Sequence, residues 1–256
     1  MGLTRLAIRF AAPVPKPDSF KRYLFIGPHP DDIEIGAGAS IARLAAEGKE
    51  ICFLICTDGR FGTDNRKDLT PEELIGLRRE ETLKSAALLG VNDVRFLNLS
   101  DGTFYTQEGL LQGILSVISD FRPDIIFCPD PSVTSECHPD HLNCGLAARS
   151  AAQISGNPGI MTARSLQPAD VQALAFYMTA KPNRFIKTTG FLQKQFDSIF
   201  TCHLSQYPPD CPDASTVKLY LKLRAIEFGL RSGHKTAEGF RVLGRTHMHC
   251  LPEAGN

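Results

Sequence analysis

Two short segments rich in histidine and aspartate contain the side chains best suited to chemistry. They are His29-Pro30-Asp31-Asp32 and His138-Pro139-Asp140-His141. Imidazole nitrogens and carboxylate oxygens bind divalent ions such as Zn²⁺, and a catalytic zinc site needs three protein ligands and one open position. Neither segment is expected to fill that set alone, because neighbouring side chains diverge. Together the two segments predict one shared metal site.

The residue types also indicate separate roles within these segments. Asp31 is the candidate general base, because one of two adjacent carboxylates can bind the metal while the other accepts a proton from water. His141 is the better candidate for the metal, and His138 can stabilise an oxyanion or protonate a departing amine. Asp140 is available to orient one of these histidines. Such a set of groups hydrolyses an amide or an ester, and the residues alone do not choose between the two.

Simpler interpretations are available for each segment taken alone. Asp31 or Asp32 would then only cap the following helix, with His29 on the surface, and the second segment would be a solvated loop. A chance pairing of two such segments is less expected than a shared site, since each follows a predicted strand.

An alternation of apolar strands and helical patterns positions these segments. The predicted strands are Tyr23–Gly27, Glu50–Thr57, Val94–Leu97 and Ile125–Cys128, and the predicted helices are 35–47, 71–89, 109–121 and 140–153. This order predicts an α/β fold with a Rossmann-like, doubly wound, mainly parallel sheet. Polar clusters follow all four strands, and ligands bind outside the carboxyl ends of such strands. The clusters therefore predict one site at one edge of the sheet.

The rest of the chain is less regular. A strand is predicted at Leu174–Met178, a proline-rich loop at 206–216 and a helix at 217–230. We expect residues 1–20 to form an N-terminal arm and residues 21–256 to form a single domain, whose C-terminal part closes over the site. Residues 155–194 match no pattern that assigns them a role.

Composition excludes several classes of protein. The 256 residues include 28 Lys and Arg against 28 Asp and Glu, so the basic surplus of a phosphate-dominated nucleic-acid binder is missing. No stretch approaches the roughly 20 apolar residues of a membrane span, and the N-terminus lacks the apolar core of a signal peptide. The eight cysteines form no CxxC pair and are read as reduced, buried thiols. These features predict a cytoplasmic protein.

The motifs resemble those of the zinc-dependent de-N-acetylases of the PIG-L/LmbE-like family. The resemblance rests on PHPDDIEIGAG at 28–38, TDGRFGT at 57–63, LRREETLKSAALLGV at 77–91, LSDGTF at 99–104 and ECHPDH at 136–141. It implies removal of the acetyl group from an N-acetylated amino sugar or its conjugate. It also implies a bound Zn²⁺, with Fe²⁺ or Co²⁺ possible since similar ligands accept them, and homo-oligomers such as trimers or hexamers.

The resemblance also implies roles for individual residues. The implied metal ligands are His29, Asp32 and His141. Asp31 would be the general base, and His138, tuned by Asp140, would face the oxyanion or the leaving amine. Arg78 and Asp101 match positions that contact sugar hydroxyls, although Arg78 has the alternative of a helix ion pair with a carboxylate three or four residues away. Glu34 and Glu81 are interpreted as structural.

Two positions depart from the family pattern, and three other functions remain open. Ile33 stands where many members have Glu, and Glu136 stands where many have Asp. The open alternatives are an amidase of a larger acyl group or of a thiol conjugate, a non-catalytic metal- or ligand-binding protein, and a nucleotide-binding enzyme. Only Gly36-Ala37-Gly38 suggests the last of these, and close packing of a helix on a strand explains the glycines better.

Overall fold

The first part of the chain builds a parallel sheet from successive strand–helix units. The computed structural model describes residues 3–249 and 251. Its first elements are α1 (Leu3–Ala11), β1 (Arg22–Gly27), α2 (Asp32–Ala46), β2 (Glu50–Thr57), α3 (Pro71–Leu89), β3 (Asp93–Leu99), α4 (Gln107–Phe121), β4 (Ile125–Pro129) and α5 (Pro139–Ile154). Strands β1 to β4 pair in parallel. The predicted order of strands and helices in this part is confirmed.

The remainder of the chain extends the same sheet beyond β4. It forms α6 (Pro158–Ala163), β5 (Ala173–Tyr177), β6 (Arg184–Lys187), α7 (Leu192–Phe200), α8 (Pro212–Ser232), β7 (Ala237–Gly244) and a 3₁₀ turn at Arg245–Met248. The strand order is β3-β2-β1-β4-β5-β7-β6, and β7 runs antiparallel to both of its neighbours. The fold is therefore the predicted α/β architecture with a mainly parallel sheet.

The central strands are buried on both faces, which explains why they lack the alternation of a half-exposed strand. Phe25, Phe53 and Phe127 pack on one face of the sheet. Leu24 and Ile126 lie in the cluster on the other face. Helices cover both faces, so the two clusters form a core that fixes the ends of β1 and β4.

The structure differs from the sequence predictions mainly at boundaries and after α5. Helix α2 begins at Asp32, three residues earlier than predicted, so it starts inside the first polar segment. The predicted loop at 206–216 is wrong for its last residues, because α8 begins at Pro212. The predicted arm contains α1, and α6, β6, α7 and β7 were not predicted. In the described part of the chain, no helix is long and apolar enough to cross a bilayer.

Close packing of α2 on the sheet explains one of the glycines next to the first polar segment. A Cβ on Gly36 would lie within 2.8 Å of the ring of Tyr177, which is fully buried on β5. The Tyr177 hydroxyl donates to the carbonyl of Ile26 at 2.8 Å, so the ring cannot easily move away. The interpretation of this glycine as a packing residue is confirmed.

We predict that Gly36→Ala lowers the free energy of unfolding by roughly 1–3 kcal/mol, because the added methyl group overlaps a fixed aromatic ring. Gly76→Ala is the matched control. Gly76 lies in α3 with open space around its Cα, so alanine there should stabilise the helix by about 0.5–1 kcal/mol. Urea unfolding of both variants measures the two effects, and equal stabilities would contradict this packing.

A buried carboxylate on β7 makes the stability of the fold depend on pH. Glu238 is 9 % exposed, and it accepts hydrogen bonds from the backbone N–H of Ser40 at 2.7 Å and of Ala39 at 3.4 Å. Burial raises its pKa from 4.5 to about 7, although the bonds to Ser40 and Ala39 oppose the increase. In the folded protein the carboxyl group therefore keeps its proton up to nearly neutral pH.

We predict that the wild type loses roughly 2–3 kcal/mol more stability between pH 5 and pH 8 than Glu238→Gln does. The unfolded chain releases the proton near pH 4.5 and the folded chain near pH 7. The protonated Glu238 therefore contributes its full stabilisation below pH 4.5, and this contribution is lost as the pH rises from 4.5 through 7. The total loss is about 1.4 kcal/mol for each unit of difference between the two pKa values. Urea unfolding of both proteins at pH 5 and pH 8 tests this. Equal losses of unfolding free energy in the wild type and in Glu238→Gln would contradict the prediction.

Candidate active site

The two histidine- and aspartate-rich segments meet at the point where the strand order of the sheet reverses. His29, Asp31 and Asp32 lie in the turn from β1 into α2, and His138 and His141 lie at the start of α5, after β4. Strands β1 and β4 are neighbours, whereas β2 and β3 extend the sheet in the opposite direction. Ligands of doubly wound folds bind at this kind of position. The predicted convergence of the two segments is confirmed.

The turn at Asp31 has an unusual backbone conformation. Asp31 has φ 106°, a region that favours glycine, and it precedes α2 without forming a side-chain capping bond. The carboxylate of Asp32 instead accepts the backbone N–H of His29 at 2.9 Å. Strained residues of this kind cost about 1–3 kcal/mol and persist where the surroundings fix them. The simpler interpretation, a helix-capping Asp31 side chain, is therefore wrong.

Three side chains are arranged as a set of metal ligands. Nδ1 of His29 lies 3.1 Å from Oδ2 of Asp32, and Nε2 of His141 lies 3.5 Å from Oδ1 of Asp32. One ligand atom from each residue lies within 4.8 Å of the other two. Two imidazoles and a carboxylate at this spacing fit a zinc-type ion with an open position.

Carboxylates also hold the far side of both imidazole rings. Nε2 of His29 lies 3.0 Å from Oδ1 of Asp101 and 3.4 Å from Oδ2 of Asp140. Nδ1 of His141 lies 3.0 Å from Oε2 of Glu136. An acceptor at one ring nitrogen keeps the proton there and leaves the other nitrogen free for a metal. This second layer supports the set His29, Asp32 and His141.

Sequence reasoning missed the role of Glu136. It treated this residue only as a departure from the family pattern. In the structure Glu136 accepts the backbone N–H of His138 at 2.8 Å and contacts the ring of His141. A carboxylate two residues before His138 and five before His141 was the available signal. The longer side chain of Glu136 still reaches the imidazole of His141.

A second set of three groups, His29, His138 and Asp140, also lies within ligand distance. The carboxylate of Asp140 is already used, because it accepts the N–H of Gly102 at 3.0 Å, the N–H of Thr103 at 3.1 Å and the hydroxyl of Tyr105 at 2.7 Å. It lies 3.4 Å from the ring of His29 but 4.0 Å from that of His138. The predicted orienting contact of Asp140 is therefore mainly with His29.

Several carboxylates lie close together in the site, and they shift the pKa values of the neighbouring groups. Burial lowers the pKa of His29, but hydrogen bonds to Asp101, Asp140 and Asp32 raise it well above the ordinary value. Burial opposes ionisation of Asp32, yet His141 and His29 hold its pKa well below the usual range. Without a metal, a protonated imidazole thus balances the acids. A divalent cation supplies the same compensation and leaves the ring neutral as a ligand.

Asp31 and His138 have environments different from those of the ligands. Burial raises the pKa of Asp31 to about 6, and the positive charge of Arg78 opposes the increase. The side chain of His138 is 47 % exposed, and burial together with the nearby His29 and His141 lowers its pKa. Its ring packs 4.7 Å from that of His29, centroid to centroid.

The structure places Arg78 in a buried position behind the first segment. Its side chain is 4 % exposed, and it donates to the carbonyls of Pro30 at 2.7 Å and Gly59 at 3.1 Å. It also lies 3.6 Å from Oδ1 of Asp31. Among the described residues no carboxylate of α3 pairs with it, so the helix ion-pair alternative is wrong. Its contact with a sugar hydroxyl stays a prediction.

Asp101 also turns inward, towards the metal ligands. Besides its contact with His29, it accepts the N–H of Gly102 at 2.7 Å through Oδ1 and the N–H of Phe61 at 3.3 Å through Oδ2. One carboxylate thus ties together the loops after β1, β2 and β3. The predicted contact of Asp101 with a sugar remains untested.

The segment between α7 and α8 is attached from behind the site. Nε2 of His203, which is fully buried, lies 3.1 Å from Oε1 of Glu34, which also contacts Ser85. Ser205 donates to Glu81 through its N–H at 2.8 Å and its hydroxyl at 2.6 Å. Burial lowers the pKa of His203, but Glu34 raises it above the ordinary value. The interpretation of Glu34 and Glu81 as structural residues is confirmed.

A cavity of about 350 Å³ lies beside Glu136, and none of His29, Asp32 and His141 lines it. The first turn of α2, the end of β5 and the inner face of α8 form its walls. Side chains that line it include Glu136, Met178, Gln195, Tyr220 and Arg224. The cavity mixes apolar walls with a few polar groups, as small-molecule sites do.

Comparison with known proteins agrees with this site. Residues 24–152 match the family described as GlcNAc-PI de-N-acetylase, PIG-L. The chain is 35 % identical to the diacetylchitobiose deacetylase of Thermococcus kodakarensis, over 91 % of this chain and 87 % of that protein. It is 28 % identical to the 1D-myo-inositol 2-acetamido-2-deoxy-alpha-D-glucopyranoside deacetylase of Thermobispora bispora, over 76 % and 71 %. The structure of N,N'-diacetylchitobiose deacetylase from Pyrococcus horikoshii superposes with a TM-score of 0.88 at 29 % identity, covering 98 % of this chain and 97 % of that one.

We predict that His141→Ala abolishes stoichiometric metal binding, whereas His138→Ala retains one metal per chain. The reason is that His141 completes the ligand set backed by Glu136, while the alternative set depends on the already occupied Asp140. Metal content after dialysis, measured by elemental analysis, separates the two sets. If His141→Ala retained the metal and His138→Ala lost it, the metal would be assigned to the set formed by His29, His138 and Asp140.

Proposed function

Since the chain belongs to the PIG-L family of de-N-acetylases, we propose that it hydrolyses the acetamide of an N-acetylated amino sugar or its conjugate. The products are acetate and a free amine. The observation that carries this proposal is a buried carboxylate, Asp31, placed beside a complete set of metal ligands without belonging to it. A protein that only stores or senses a metal has no use for such a group.

Asp31 is the general base of this proposal. Burial and the pKa of about 6 suit a carboxylate that must take a proton from water near neutral pH. The strained backbone at φ 106° directs the side chain away from a capping position. Arg78 holds the carbonyl of the preceding Pro30 and lies against Asp31, so it keeps the base in place.

His29, Asp32 and His141 would hold a divalent cation, for which we propose Zn²⁺. When bound, such an ion polarises the amide carbonyl as a Lewis acid. Fe²⁺ and Co²⁺ suit the same ligands. Asp101, Asp140 and Glu136 keep the two imidazoles in the tautomers that leave a nitrogen unprotonated towards the ion.

His138 is the group that faces the departing atoms. Its ring lies next to those of His29 and His141 and is half exposed, so substrate can reach it. Its lowered pKa keeps it neutral before reaction, and negative charge that develops on the carbonyl oxygen favours its protonated form. The proton that Asp31 removes from water would supply this protonated form, and the ring would then donate it to the oxyanion or to the leaving nitrogen.

The relatives indicate the substrate class. Their names describe the deacetylation of diacetylchitobiose and of an acetamido-glucopyranoside. An N-acetylglucosamine-type substrate therefore has more support than a larger acyl amide or a thiol conjugate, which the same ligand set would also serve.

We further propose that the enzyme works in the cytoplasm as one domain spanning residues 21–256, and that it assembles into trimers or hexamers. Among the described residues the cysteines are free thiols, as is usual for proteins of reducing compartments. The small substrate and the lack of net charge give no reason to expect a nucleic-acid partner.

We predict that Asp31→Asn retains its metal and loses about 10²–10⁴-fold in kcat, because asparagine cannot accept the proton. The measurement is acetate release from N-acetylglucosamine and N,N'-diacetylchitobiose by zinc-loaded protein. Chelator-treated protein should be inactive, and Asp213→Asn, which changes an exposed carboxylate on α8, is the matched control. Full activity of the Asp31→Asn variant would show that Asp31 is not the general base. Absence of acetate release from both compounds by metal-loaded wild type would favour a larger acyl conjugate.

A further inference from the structure

Two exposed phenylalanines stand together at the edge of the sheet that carries the active site. Phe61 follows β2 and is 52 % exposed, and Phe104 follows β3 and is 73 % exposed. Their ring centroids are 5.8 Å apart and the rings are tilted by 55°. Single exposed apolar residues are ordinary, but a paired aromatic surface beside a catalytic site indicates a binding surface. Neither ring belongs to the proposed catalytic machinery.

The two residues are attached to the groups that surround His29. The N–H of Phe61 donates to Asp101 at 3.3 Å. Phe104 lies in the turn whose N–H groups, at Gly102 and Thr103, are bound by Asp140. Asp101 and Asp140 are the two carboxylates in contact with Nε2 of His29. The pair, which we call the Phe61–Phe104 platform, is therefore held in a fixed position relative to the ligand set.

The local backbone explains why the rings remain together. A Cβ on Gly102 would lie 3.2 Å from the ring of Phe61 and 3.4 Å from that of Phe104. Both rings thus rest on the backbone of this glycine, which has φ 75°. Ser100 and Phe104 also form an antiparallel bridge across the turn. The inner side of the platform is filled, and its other side faces solvent.

We propose that the Phe61–Phe104 platform binds the apolar face of a second pyranose ring, linked to the ring that carries the acetamide. This inference rests on the proposed function. A pyranose ring has C–H groups on its faces and hydroxyls around its rim, so it can cover an aromatic surface while its hydroxyls stay in water. The platform would then make the enzyme favour N-acetylated disaccharides over monosaccharides.

The position of the platform indicates that it binds the linked pyranose ring and not the ring that carries the acetamide. The acetamide must reach Asp31 and the set formed by His29, Asp32 and His141, whereas Phe61 is held through its backbone N–H by Asp101, on the Nε2 side of His29. The ring attached to the acetamide is therefore bound closer to the ligands. Arg60, the nearest charged neighbour in sequence, is paired with Asp58 at 2.6 Å, so an uncharged sugar suits this surface better than an anionic group.

The test compares N,N'-diacetylchitobiose with N-acetylglucosamine in Phe61→Ala, Phe104→Ala and the double variant. We expect kcat/KM for the disaccharide to fall about tenfold for each ring removed, mainly through KM, with a clearly smaller loss for the monosaccharide. Phe104→Tyr should retain the disaccharide preference, because the ring is preserved. Phe10→Ala is the matched control, since Phe10 is 78 % exposed on α1 and should leave both substrates unaffected.

A binding measurement separates this inference from the proposed function. Titration calorimetry with N,N'-diacetylchitobiose on proteins that also carry Asp31→Asn, which are expected to turn it over only slowly, should show a Kd about tenfold higher when either phenylalanine is replaced. Equal losses for both substrates, or no change in kcat/KM and Kd, would overturn the platform. Binding of N,N'-diacetylchitobiose by the Asp31→Asn protein, together with no acetate release by the wild type, would instead refute the proposed function. If size-exclusion chromatography shows that the double variant alters the oligomeric state, the surface is an interface between copies and the inference is wrong.

Discussion

The contacts of one imidazole, His29, join the parts of the site. Its Nδ1 faces Asp32 at the start of α2, and its Nε2 faces Asp101 after β3 and Asp140 in α5. The ring is nearly buried, so each contact gains strength from the low local dielectric and would be costly to leave unpaired. Three loops that are far apart in the chain are thereby fixed against each other. The positions of Asp32, Asp101 and Asp140 therefore depend on one ring.

The same arrangement buries several negative charges close together, and this explains why Asp31 differs from the other carboxylates. Asp31, Asp32, Asp101 and Asp140 are all largely buried at one end of the sheet. Burial of several carboxylates is tolerated only with compensating positive charge. Arg78 supplies part of it on the side of Asp31, and a divalent cation would supply the rest. The geometry thus leaves Asp31 as the carboxylate whose pKa rises, which suits a base better than a ligand.

The sequence predicted the elements whose patterns are local and strong. Strands such as β2 are continuously apolar, and α3 has a capping box at Thr70 and ends at Gly90, so its bounds were predicted correctly. Strand β7 (AEGFRVLG) mixes charges and glycine with apolar residues, and its place depends on antiparallel pairing with distant partners. That information is not in the local pattern.

The site was predictable to a similar extent. The residue types of the two segments, with the resemblance, indicated the ligands and the base. The role of Glu136 and the burial of Arg78 could not be derived, because both depend on which backbone atoms the fold brings near them. A long side chain such as that of Arg78 reaches different partners for small changes in the approach of α3. Residue type alone therefore indicated the chemistry of the site but not the contacts that hold its side chains in place.

The order of the strands has a consequence for how the protein matures during synthesis. Strand β1 lies in the middle of the sheet, between β2 and β4, yet it is made before either of them. While the chain is still leaving the ribosome, β1 keeps one edge unpaired until β4 arrives. The third ligand, His141, emerges only just after that strand. The three proposed ligands can therefore come together only after β4 and the first turn of α5 have been made, when β1 can be paired on both edges.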